Sequence, residues 1–151
     1  MFDLVNGLPV HPLVVHAVVV LLPAAVLGTI AIAVRPSWRR RHGVLVLGVT
    51  AVATALIPVA TSSGEALERR VGDPGRHAAL GDQLIWFALP LLVLVAVLVL
   101  LDRRERGPAT TRTIATLAVV AALATGVQVY RVGDSGARAA WGSQVSSPAR
   151  R

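Results

Sequence analysis

The chain has 151 residues, 54% of them hydrophobic and only 15% charged, with a mean hydropathy of +0.66. A soluble domain of this length needs more polar surface, so the composition predicts a membrane protein that is nearly all membrane domain. The absence of cysteine excludes disulfides, thiolate metal sites, iron–sulfur clusters and covalently attached c-type haem. The net charge of +7 is carried by arginine without lysine, in short loops beside apolar runs, which suits topology and lipid headgroups and not nucleic acid.

The first apolar run, Leu13–Val34, follows "LPVHPLVVH" and stops at Arg35-Pro36. It reads as a retained helix and not a cleaved signal: there is no basic n-region, Asp3 precedes it, and the run is too long. Pro12 suits a first helical position, which leaves His11 near the cap and carries His16 about one turn into the span. The second run is Gly43–Thr61, the third Leu84–Leu101, and the fourth Thr113–Tyr130. Each holds roughly 18–22 residues without Asp, Glu or Arg, enough to cross ~30 Å of hydrocarbon. With their flanks the expected spans are 12–34, 43–63, 80–101 and 112–132, within one domain over 1–142. Residues 143–151 read as a polar disordered tail.

Loops one and three are rich in arginine: Arg35, Arg39, Arg40 and Arg41, then Arg103, Arg104, Arg106 and Arg112. The positive-inside rule makes these loops cytoplasmic and both termini extracytoplasmic. The expected location is a bacterial cytoplasmic (plasma) membrane, multi-pass. The fold class expected is all-α: an integral membrane four-helix antiparallel bundle with short extracytoplasmic interfacial helices.

That topology collects the polar chemistry at one end. His11, His16 and His77, Glu65, Arg69, Arg70, Gln128 and Arg131 all fall at the outer ends of the spans, while His42 stands alone among arginines at the other. Ser62-x-x-Glu65 fits a capping box, so Glu65–Val71 reads as a short interfacial helix. Asp73-Pro74 reads as the start of helix three. Gly133 reads as the stop of helix four, with Asp134 or Ser135 capping a short tail helix. Gly81, one turn below His77, leaves room for a flat group or a neighbouring backbone. Thr50, Thr54, Pro58 and Thr61, and Ala118, Ala121, Thr125 and Gln128, mark inner faces by their spacing. A faint repeat aligns His11 and Pro23 with His77 and Pro90, and Ser63-Gly64 with Ser135-Gly136.

The segments "GLPVHPLVVH", "SGEALE", "HAALGD" and "VGDSGA" resemble the uncharacterised membrane family called domain of unknown function 2231. The resemblance covers nearly the whole chain. It implies four membrane helices and a histidine set. Relatives joined to cytochrome c-like modules suggest a haem or redox context. The family's aromatic and Pro-Ile after the second His are replaced here by Ala17 and Val18.

Four readings of the histidines stay open. The first is haem b or another redox cofactor, with His16 and His77 as the favoured pair and Arg69, Arg70 or Arg131 as propionate partners. The second is a non-catalytic accessory or scaffold subunit of a membrane complex, with His11, His16, Gln128 and Glu65 as a structural network. The third is a divalent-metal site of His11, His16, His77 and Glu65. Against it, a spacing of five turns His11 and His16 ~140° apart on a helix. The fourth is a proton relay or transporter, for which no deep carboxylate is present. No catalytic residues are assigned. The partners expected are the lipid bilayer and a redox membrane complex or a second copy of the chain.

Overall fold

The computed structural model describes residues 4–5, 8–72, 75–104 and 107–145. Two short strands, β1 (Leu4–Val5) and β2 (Leu8–Pro9), pair antiparallel with Leu4 opposite Pro9. Four helices follow: α1 (Val10–Val34), α2 (Pro36–Val71), α3 (Arg76–Arg103) and α4 (Pro108–Val145). All four are long and apolar enough to cross a membrane.

The helices form a bundle in which α1 packs mainly on α2 and α4, and α3 on α4 and α2. Helices α1 and α3 therefore sit on one diagonal, and α2 and α4 on the other. One core cluster joins Val18, Leu22, Ala53, Ile57, Leu84 and Ala88. The other joins Ile32, Leu91, Leu98 and Ala122, among others. Small residues let backbones approach: a Cβ on Gly28 would stand 3.0 Å from Val46, and one on Gly43 would stand 3.1 Å from Val99. This is the packing expected where lipid gives helices no hydrophobic reason to associate. Outward-facing Val20, Leu27, Leu45, Val93 and Val120 are all more than half exposed. Lipid, not water, suits such a surface.

The inner-face residues read from the sequence are largely where the spacing put them. Thr50, Thr54, Ala118, Thr125 and Gln128 are buried. Pro58 is exposed and Thr61 half-buried. The threonines bond back along their own helices, Thr54 Oγ1 to the Thr50 carbonyl at 2.8 Å and Thr125 Oγ1 to that of Ala121 at 2.8 Å. That removes the cost of a bare hydroxyl in an apolar interior.

The helix ends differ from the sequence reading. The arginine-rich first loop is helical: only Arg35 separates α1 from α2, and Pro36 opens α2, where its fixed φ and missing N–H cost nothing. The expected interfacial helix over Glu65–Val71 is not separate, because α2 runs unbroken to Val71. Ser62 does not cap; its Oγ donates to the Val59 carbonyl behind it at 3.2 Å. Gly133 does not stop α4, which continues to Val145 through residues 143–145 of the expected tail. Ser135 bonds back to the Val132 carbonyl, and Asp134 pairs with Arg138 one turn on. In each case main-chain hydrogen bonding and packing override a local capping signal. Helix α3 starts after Gly75, without a side-chain cap. The Asp73-Pro74 start and residues 146–151 of the tail lie outside the described residues.

At the end of the bundle rich in arginine, Arg39 is buried and its Nε donates to Asp102 Oδ1 at 2.8 Å. This ion pair ties the start of α2 to the end of α3. The opposite end carries His11, His16 and His77.

Candidate functional site

The histidine end is built from two copies of one clasp. In the first, His11 on α1 lies against α2. Its Nδ1–H donates to the Ala60 carbonyl at 2.9 Å and more weakly to Ser63 Oγ at 3.4 Å. Ser63 Oγ itself donates to the Ala60 carbonyl at 3.0 Å. Gly64 carries the ring: a Cβ there would stand 3.1 Å from His11 Cε1. In the second, His77 on α3 lies against α4. Its Nδ1–H donates to the Val132 carbonyl at 3.1 Å and to Ser135 Oγ at 3.3 Å. Ser135 Oγ donates to that same carbonyl at 2.9 Å. A Cβ on Gly136 would stand 2.9 Å from His77 Cε1.

A carbonyl can only accept, so each bond places a proton on Nδ1, and in the neutral tautomer Nε2 then carries the lone pair. This is how metal-ligating histidines are oriented in proteins generally. The serines and glycines were visible in the sequence only as a repeated dipeptide that looked like caps. They receive the rings and hold the tautomers.

Both histidines line one cavity of about 380 Å³ at this end, with walls from all four helices. Its volume falls in the range of small-molecule sites, ~300–1,000 Å³. The wall is mostly apolar, including Val15, Val18, Ile57, Leu84 and Val129, and Gly81 adds open space below His77. Among the described residues, its ionisable groups besides the histidines are acidic: Glu65, Glu68 and Asp82. The sequence reading singled out Glu65 and missed Glu68 and Asp82, which nothing but their place beside the repeated segments could have marked.

The remaining expected site residues are not on this wall. His16 is exposed on the outside of α1 and its Nδ1 bonds to the Pro12 carbonyl of its own helix. It does not line the cavity to which His11 and His77 both contribute. The five-residue spacing separates His11 and His16 as the helix period requires. Gln128 is buried, but its Nε2 donates to the Leu80 carbonyl of α3 at 3.0 Å. That bond ties α4 to α3 and keeps Gln128 off the cavity wall. Arg69 is exposed on α2. Arg131 is exposed on α4 and reaches Gln128 Oε1 at 3.4 Å. Among the described residues, no group of three or more His, Asp or Glu side chains could hold a metal ion.

Comparison with known proteins adds one match. The family model described as a predicted membrane protein, DUF2231, matches residues 7–148, a stretch that takes in all four helices. No curated protein and no solved structure matches the chain. The chain thus belongs to this family of membrane proteins of unknown function.

Proposed function

We propose that this protein is a membrane-embedded cofactor-binding bundle, with haem b held between His11 and His77. One observation carries the reading. Two histidines on diagonal helices, each with Nδ1–H committed to a main-chain carbonyl, share the wall of a single apolar cavity. Two imidazoles on diagonal helices of a bundle could hold such a group. The pair differs from the one favoured on sequence grounds: His11 replaces His16. When bound, such a group would supply one-electron transfer, with a redox membrane complex as the natural partner.

The chain's own residues define how it would be held. Gly64 and Gly136 let the rings lie flat against α2 and α4, and the Ser63 and Ser135 clasps stop them turning. The apolar part of the wall, Val15, Val18, Ile57, Leu84 and Val129, would pack against the ring of such a group. Glu65, Glu68 and Asp82 repel carboxylates, so the propionates of a haem would have to extend past them into water. Arg69, exposed at that end of α2 and off the cavity wall, would meet them.

The clasps also favour a second reading, a structural one, because each histidine locks the two helices of its own hairpin. The two readings separate on the spectrum. With haem supplied during expression, the purified protein should show a Soret band that His11→Ala and His77→Ala each abolish while the helices persist. A folded wild-type protein without that band supports the structural clasp instead.

The orientation proposed puts the arginine end in the cytoplasm and the histidine end outside, in a bacterial plasma membrane.

A further inference from the structure

A second cleft lies on the outside of the bundle, apart from the histidine cavity. It is about 100 Å³ in volume and opens between the start of α3 and α4. Arg76, Arg131 and Arg138 surround it, with the Tyr130 and Ser135 hydroxyls, and Leu80 closes its apolar floor. Among the described residues, Asp134 is the one carboxylate on its wall, and Arg138 Nε already holds it at 2.9 Å. The cleft thus has positive charge in excess and several guanidinium N–H donors to spare. Arginine forks of this kind match phosphate oxygens.

The level of the cleft supplies the second argument. The apolar stretch of α4 ends at Tyr130, so the cleft stands where hydrocarbon gives way to headgroups. Directly beneath it, Val120, Leu123 and Val127 run down α4 at three- and four-residue spacing, each more than half exposed. Tyr130 continues that face and is 73% exposed. A cleft too small for an acyl chain sits at the head of an apolar stripe made for one.

We propose that this cleft binds the phosphate of an anionic phospholipid, with the acyl chains lying along the Val120–Leu123–Val127 face of α4. Arg76 and Arg131 grip the phosphate from two helices. The lipid thereby joins the start of α3 to α4, beside the His77 clasp.

The test is native mass spectrometry of the full chain released from detergent, titrated with phosphatidylglycerol, phosphatidylcholine or inorganic phosphate. Wild-type protein should retain phosphatidylglycerol in preference to phosphatidylcholine. Arg76→Gln/Arg131→Gln should weaken that binding by roughly tenfold or more, given the contribution of each arginine at a membrane surface. Arg103→Gln/Arg104→Gln, at the other end, should leave it unchanged. If the double variant does not fold, Arg76→Gln alone reads the same loss at smaller size. Unaltered lipid binding in the Arg76/Arg131 variants would overturn the proposal. So would displacement of the lipid by equimolar inorganic phosphate, which would mark a free-anion site.

Discussion

Gly64 and Gly136 bear most of the local weight at the histidine end. Any side chain there meets an imidazole ring at about 3 Å or less, and backbone on one side and ring on the other leave little to yield. Gly136→Ala should therefore cost ~1–3 kcal/mol by overpacking and Gly64→Ala somewhat less, read as loss of thermal stability in detergent. Gly81→Ala, with open space around it, should cost no such penalty. Asp102 offers a second test at this scale. Asp102→Ala leaves the buried Arg39 guanidinium without its carboxylate and should cost ~3–5 kcal/mol, whereas replacing both residues with apolar ones of similar volume should restore most of it. Thermal unfolding of the single and double variants checks the difference. The Ser-Gly repeat was legible in the sequence. The Arg39–Asp102 pair was not, since 63 residues separate its members and both looked like ordinary loop charges.

At the scale of elements, the four apolar cores of the helices were legible because roughly 20 uncharged residues have few other fates. Their ends were not. Ser62-x-x-Glu65 and Gly133 are genuine capping signals in water, yet α2 and α4 run through them. A helix glycine costs about 1 kcal/mol relative to alanine, and here Gly64 and Gly136 recover it by admitting a histidine ring. Spin labels placed singly over residues 131–142 should report mobility with a 3.6-residue period. A break in that period at Gly133 would restore the separate tail helix. Gln128→Ala should lose the tie between α4 and α3 and cost ~0.6–1.7 kcal/mol, the range for hydrogen bonds between membrane helices, measurable by the same thermal assay.

At the scale of the whole molecule, the described residues form two hairpins, each closed by a His–Ser–Gly clasp, and both histidines line one cavity at that end. The repeat of His, Ser and Gly suggested this arrangement, and the clasps match it bond for bond. The sequence reading favoured His16 with His77 because His16 lies further into the span; His16 is exposed on α1, and depth along a helix says nothing about which face a residue occupies. Because the chain has no cysteine, single cysteines at Ser37 and at Asp82 give a clean test of sidedness. An impermeant thiol reagent added to whole cells should label the second and spare the first; the reverse would invert the proposed orientation. The central claim concerns what the two imidazoles hold. The most direct measurement is the absorption spectrum of the purified full chain produced with haem supplied, alongside His11→Ala, His77→Ala and His16→Ala. The account predicts a Soret band in the wild type and in His16→Ala, lost in each of the other two. A folded wild type without the band, or a band that survives in His11→Ala and His77→Ala, would contradict it.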